Sequence, residues 1–254
     1  DFIPYSSFFP VLQYYFFKSG NRSIKSEHVK FIEDWFWSVT FSQRYSSSSL
    51  TLMKEDATWI YNLSQGILET NTFGVSLTIK ELLKVRMQNI SVIKNGVLCL
   101  MALENPKDFD NGQMVILDRS NVSRSNSKEN HHFFPFSLRQ KFGTDSNGIN
   151  SLLNFVLISG RLNREISNKL PSDYLKQYEE TNTSIEEHLL SHFINQDALE
   201  AAKVDNFQLF IQKRGEFILD KIKLKVRMQS FTEPEEDILE DNIEYEEPLI
   251  EEVA

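Results

Sequence analysis

Two of the chain's five histidines stand side by side, at His131-His132, and lead directly into Phe133-Phe134-Pro135. A carboxamide follows at Asn154, just ahead of the apolar run Phe155-Val156-Leu157-Ile158, and another at Asn163, within Asn163-Arg164-Glu165-Ile166-Ser167-Asn168-Lys169. Imidazole and amide groups at such a spacing suit hydrolysis of a phosphodiester around a single divalent ion. That reaction needs an activated water, a Lewis acid on the scissile phosphate, and groups that orient the backbone. Arg161, Arg164 and Lys169 lie on or near a predicted helix, where they could clamp phosphates flanking the scissile bond or simply be solvated helix charges. Successive strand residues point to opposite faces, so His131 and His132 can address one point only at a strand end or bulge.

Taken together, His131-His132, Pro135, Asn154 before an apolar run, and Asn163 with Asn168-Lys169 resemble the ββα-metal endonuclease motif, also called HNH or His-Me finger. The resemblance implies a role for each position. His132 would be the general base and His131 a metal ligand. Asn154 would pin the loop that carries the base, and Asn163 would be the ligand on the helix. Aspartate is common where this chain has His131. A neutral imidazole there should favour Mn²⁺, Co²⁺, Ni²⁺ or Zn²⁺ over hard Mg²⁺.

The likeness reaches further along the chain. Asn154–Ser159, Asn163–Lys169 and Pro171-Ser172-Asp173-Tyr174-Leu175 are similar to the carboxy-terminal nuclease domain of modification-dependent restriction enzymes of the GmrSD kind. Phe2-Ile3-Pro4-Tyr5, Trp35-Phe36-Trp37, Phe41–Tyr45 and Asp108–Gly112 are similar to the helical region that precedes that nuclease. The resemblance covers most of residues 1–230. It implies DNA as substrate, a role as effector in restriction or anti-phage defence, and a ParB-like nucleotide-hydrolysing domain amino-terminal to this region. The Asp-Gly-Gln-Gln-Arg motif of that domain is absent here, and a chain starting at Asp1 is expected to be a piece of something longer.

The net charge of −9 hides an uneven distribution. Residues 233–254 hold eleven acidic groups and no Lys or Arg, which leaves 27 basic against 25 acidic groups elsewhere. Residues 119–176 hold nine basic and four acidic groups, so positive charge gathers around the histidines, as a polyanionic substrate would favour. One cysteine, Cys99 in the apolar run 97–101, excludes an internal disulfide framework and fits a reducing, cytoplasmic setting with the thiol packed away. The amino-terminal stretch lacks a basic leader and is broken by Pro4 and Pro10, so neither a signal peptide nor a membrane span is expected.

The elements that must position the motif read mainly as helices. Apolar residues recur three and four apart over Val11–Lys18, Ser26–Ser42, Lys54–Gly66 and Ile79–Ala102, with a capping box at Thr78 and Glu81. Asp110-Asn111-Gly112 is a turn ahead of a short strand at 114–117, residues 119–130 read as an exposed loop, and strands are expected at 131–136 and 155–158. A helix should begin near Arg161, and further helices should cover 184–230. His188 and His192 share a helix face at a zinc-pair spacing, but no third ligand is evident, so structural packing is the expectation. Asn168 reads as a helix C-cap or a second ligand at the helix end, and Asp173 as a cap or a partner of Lys169.

The expected class is therefore mainly α (α+β), a helical bundle with an embedded ββα-metal unit. Residues 1–105 would form a helical domain, 106–180 the nuclease unit, 181–232 a helical section packed on it, and 233–254 an unfolded acidic tail. The expected function is metal-dependent nicking or cleavage of DNA. The alternative is a catalytically degenerate scaffold that serves as a helical protein-interaction module. Oligomeric state is not legible in the sequence.

Overall fold

The computed structural model describes residues 2–20, 23–47, 49–70, 74–116 and 131–226. The 119–130 loop and the 233–254 tail lie outside the described residues. Ten α-helices run through the described chain: α1 (Phe8–Ser19), α2 (Ser26–Phe41), α3 (Ser49–Ser64), α4 (Ile79–Lys84), α5 (Val92–Leu103), α6 (Gly160–Ile166), α7 (Pro171–Glu179), α8 (Ile185–Leu190), α9 (Gln196–Lys203) and α10 (Phe207–Lys225). Short 3-10 turns occur at Arg44–Ser46, Phe136–Leu138 and Leu152–Asn154. The architecture is mainly helical, as the apolar periodicity predicts.

Local signals explain several boundaries. Thr78 Oγ accepts from the Glu81 amide and the Glu81 carboxylate accepts from the Thr78 amide, so the predicted capping box closes at the start of α4. Gly20 takes a left-handed φ of 66° and ends α1. Pro171 occupies the first turn of α7, where its missing N–H costs nothing.

The expected helix over 79–102 is two helices. Residues 85–91 leave the helical path: Arg86 bridges Ser151, the Met87 amide donates to the Asn150 carbonyl at 3.0 Å, and the Leu152 amide donates to the Val85 carbonyl at 3.0 Å. Ser91 then caps α5 by accepting from the Lys94 amide at 3.3 Å. A backbone pairing some 65 residues distant thus outweighs the local helical period.

The predicted strands shrink to single bridges. Lys107 pairs with Met114 around the Asp110–Gly112 turn, and His132 pairs with Phe155, in both cases antiparallel. Around the second bridge the Val156 amide donates to the His131 carbonyl at 3.1 Å and the Phe133 amide to the Asn154 carbonyl at 2.8 Å. Pro135 has no N–H to extend the ladder. No sheet forms among the described residues.

Two apolar clusters organise the packing. The smaller joins α1, α2 and α3 through Phe8, Tyr15, Trp35, Ile60 and Leu63. Trp35 also donates its indole N–H to Asp56 at 2.9 Å, so the aromatic Trp35–Trp37 segment has one tryptophan in each cluster. The larger runs from Trp37 to Val226 and crosses residue 105 without a break. α10 threads it, and Phe210 stacks on Phe133 at 4.8 Å between ring centroids. Phe133 and Phe134 are 1 % and 0 % exposed; burying each contributes about 2 kcal/mol and fixes the backbone that carries His132.

Candidate functional site

From the His132–Phe155 bridge the chain presents one imidazole to solvent and sends the next two side chains into the core. Tyr174 on α7 donates its hydroxyl to the Phe133 carbonyl at 2.9 Å, tying this segment to the helical layer behind it. Arg214 on α10, fully buried, does the same for the opposite segment. Its guanidinium donates to the Leu153 carbonyl and twice to the His192 carbonyl, the latter at 2.8 and 3.2 Å.

Asn154 is fully buried, and its carboxamide is spent on backbone groups. Its Oδ1 accepts from the Phe134 amide at 2.8 Å, and its Nδ2 donates to the Phe134 carbonyl at 3.0 Å and the Ile149 carbonyl at 2.9 Å. One side chain therefore staples the turn after His132 to the end of the 136–150 connection.

The helix that follows is positioned by Asp108. Its carboxylate accepts from both the amide and the hydroxyl of Ser159, and Ser159 in turn caps α6 by accepting from the Leu162 amide at 3.2 Å. Asn163 sits one turn into α6. At the far end Ser167 takes a φ of 49°, a conformation that few side chains adopt, and turns the chain so that Asn168 accepts from the Ser137 hydroxyl at 2.6 Å.

His132, Asn150, Asn163, Ser167 and Asn168 line one cleft of about 530 Å³, closed on its other sides by Gln88, Pro135, Phe136 and Ser137. Among the described lining residues, His132 is the one with an ionisable side chain. His131 lies beside the cleft and is not among its lining residues. Asn168, expected as a helix cap, faces the cleft instead.

Asn150 was not legible as a site residue. Its Nδ2 donates to the Ser146 carbonyl at 2.6 Å, which fixes which end of the amide is oxygen; that oxygen lies 2.9 Å from His132 Nε2. The bond therefore requires the proton on Nε2 and assigns the lone pair to Nδ1.

The basic residues predicted to meet phosphate have different surroundings. Arg161 pairs with Asp108 at 3.2 Å, Asp110 at 2.9 Å and Glu165 at 3.1 Å, so its charge is already matched within the chain. Those carboxylates, the hydrogen-bonded Asp110 foremost, raise its pKa further. Arg164 is exposed, and Lys169 Nζ is 3.3 Å from Gln177 Oε1 on α7. Arg161 thus acts within the fold, latching α6 to the Asp108–Gly112 turn.

The remaining candidates pack structurally. His192 is fully buried, donates Nε2 to the Lys107 carbonyl at 2.7 Å, and has its pKa pushed down to about 4 by burial. His188 shares a hydrogen bond with Asn182 through Nδ1 at 2.9 Å. The Cys99 thiol contacts the Phe2 carbonyl, and burial pushes its pKa up to about 11. Among the described residues no group of three His, Cys, Asp or Glu side chains converges on a metal position, and no helix is long and apolar enough to cross a membrane.

No protein-family model and no solved structure matches the chain. It is similar to an uncharacterized protein of Methanocaldococcus jannaschii, 29% identical over 219 residues. The match takes in 75% of this chain and 36% of the archaeal protein, so the chain spans little more than a third of that relative's length.

Proposed function

We propose that the cleft at His132 is the active site of a divalent-metal-dependent endonuclease of the HNH kind that nicks or cleaves DNA. The observation that carries this reading is the shared cleft itself, with the His132 imidazole and the Asn163 carboxamide lining one solvent-open hollow while Asn154 braces the turn between them. The His132–Phe155 bridge followed by α6 would be a reduced ββα unit.

In this reading His132 takes a proton from water on Nδ1, the nitrogen that the Asn150 contact leaves as acceptor. Asn150 and the Phe155 ring, 4.4 Å from the imidazole centroid, hold the base in place through the proton transfer. Arg164 and Lys169, at the outer face and end of α6, supply positive charge to the DNA backbone. Asn163 lines the cleft and would hold the ion there, whereas His131, the other ligand the resemblance implies, lies outside the lining. With no carboxylate among the described lining residues, the donor set fits Mn²⁺, Co²⁺, Ni²⁺ or Zn²⁺ better than Mg²⁺. A divalent ion bound there would act as Lewis acid on the scissile phosphate and stabilise the leaving 3′ oxygen. The resemblance of its motifs to restriction enzymes of the GmrSD kind supports a role in phage defence.

The test is supercoiled-plasmid nicking with a panel of divalent ions, wild type against His132→Ala. The substitution should lower the rate by about 10²–10⁴-fold with little change in melting temperature, because the imidazole is half-exposed. Nicking by His132→Ala at the wild-type rate would overturn the assignment. A wild type that neither binds Mn²⁺ nor nicks DNA would favour the scaffold reading.

A further inference from the structure

The three phenylalanines of the motif region meet different fates. Phe133 and Phe134 are buried, whereas Phe136, one residue past Pro135, is 39 % exposed and forms part of the cleft wall. Its ring centroid lies 5.9 Å from that of His132. Arg139, one turn further along the 3-10 segment, donates to the Phe136 carbonyl at 3.2 Å and lays its guanidinium carbon 4.6 Å from the ring centroid. The aromatic surface left in solvent thus has the imidazole on one side and a fixed positive charge on another.

The rest of the lining has its own chemistry. Gln88, Asn163, Asn168 and Ser137 bring carboxamides and a hydroxyl to the hollow, and among the described residues no lysine or arginine lines it. A hollow made to grip phosphate alone would carry cations. Carboxamides instead present paired donors and acceptors of the kind that meet base edges. An aromatic ring beside them offers a stacking surface to any base, provided that base is out of a duplex. In an intact double helix the base faces are covered by their stacked neighbours, so although amides can read base edges in a groove, the ring could not stack on a base.

We propose that the cleft binds an unpaired nucleotide of DNA, with a base stacked on Phe136, the adjacent backbone against Arg139, and the carboxamides toward the base edge. The preferred substrate is then single-stranded or locally unpaired DNA. This deepens the nuclease reading of the same cleft and rests on it for the identity of the ligand as DNA.

Binding is measured without metal, in EDTA at about 50 mM salt, by anisotropy of a labelled single strand of about 15 nucleotides and of the corresponding duplex. Wild type should prefer the single strand by about tenfold or more. Phe136→Ala should weaken single-strand binding by about tenfold while changing duplex binding less than about twofold, and Phe136→Trp should retain the preference. Because the ring is partly exposed and lies outside the buried core, circular dichroism should report an unchanged fold for both variants. Equal or tighter duplex binding, or the same loss on both forms in Phe136→Ala, overturns the proposal; so does a wild type that binds neither. Each failure is separable from failure of the nuclease reading, which is read by metal-dependent nicking alone. A chain that nicks plasmid yet binds without strand preference loses only this inference. Single-strand binding that depends on Phe136 without any nicking keeps it and removes the catalysis.

Discussion

Asn150→Ala should separate the orientation of the base from its presence. In the wild type the Asn150 oxygen receives His132 Nε2–H at 2.9 Å, and its amide nitrogen is committed to the Ser146 carbonyl at 2.6 Å. Removing the side chain deletes both bonds. At a net worth of about 1 kcal/mol each, stability should fall by about 2 kcal/mol. The bond to His132 also biases the tautomer, and losing about 1 kcal/mol of bias redistributes the proton about fivefold. With added freedom of the ring, the single-turnover nicking rate per folded molecule should drop about 5- to 20-fold, far short of the roughly 10²–10⁴ expected for His132→Ala. Asn150→Asp supplies the control. It too loses the bond to Ser146 and shares that stability cost, but a carboxylate still accepts from Nε2 and preserves the tautomer. Its negative charge stabilises the imidazolium, so the acid limb of its pH–rate profile should move up by on the order of one unit relative to wild type. The reasoning fails if Asn150→Ala nicks at the wild-type rate after correction for folded fraction. It fails equally if the acid limb of Asn150→Asp stays in place.

Two further outcomes concern the frame around the cleft. Asn154→Ala leaves two backbone carbonyls and one amide without their partner in a fully buried position, so urea unfolding should show a loss of about 3–5 kcal/mol, and a loss under about 1 kcal/mol would refute the staple. His192 has a folded pKa of about 4 against an ordinary 6.5, chiefly through burial, so the unfolded chain takes up its proton first. Its contribution is complete above about pH 6.5 and declines as pH falls toward about 4, by about 3 kcal/mol at most; His192→Gln should flatten the urea midpoint across that window, and an unchanged slope would sink the assignment.

What could be read from the sequence was local chemistry. The Thr78–Glu81 box, the turn at Asp110–Gly112 and the helix around Asn163 are each specified within a few residues, and each is present. The place of His132 was legible for a similar reason, since Phe133, Phe134 and Pro135 dictate where the chain dives into the core and hence where the imidazole stands. What could not be read was set by partners far along the chain. Gln88 reaches the cleft only because residues 85–87 pair with 150–152, which no helical period over 79–102 could announce. The ion pairs of Arg161 with Asp108 and Asp110, some fifty residues upstream, could not be read from its neighbours in sequence. Asn150 looks like any loop amide until Ser146 fixes its orientation and the His132–Phe155 bridge brings the imidazole to it.

These long-range contacts also divide the labour around the cleft. Charge is consumed in fixing α6 through Asp108, Ser159 and Arg161, while the hollow itself is left with neutral amides, one imidazole and one aromatic ring. A neutral lining contributes little long-range attraction, so recruitment of a polyanion must come from basic residues outside it, such as Arg139, Arg164 and Lys169. Selectivity within the hollow then rests on short-range contacts, hydrogen bonds and stacking, which salt screens far less than it screens those outer charges. The same separation predicts how binding should respond to ionic strength: overall affinity for DNA should fall steeply with added salt, while the ratio of single-strand to duplex binding should hold or rise, because duplex binding loses more per phosphate contact. A ratio that collapses in step with affinity would mean that strand preference arises from the outer charges, and that Phe136 and the amides do not read the base.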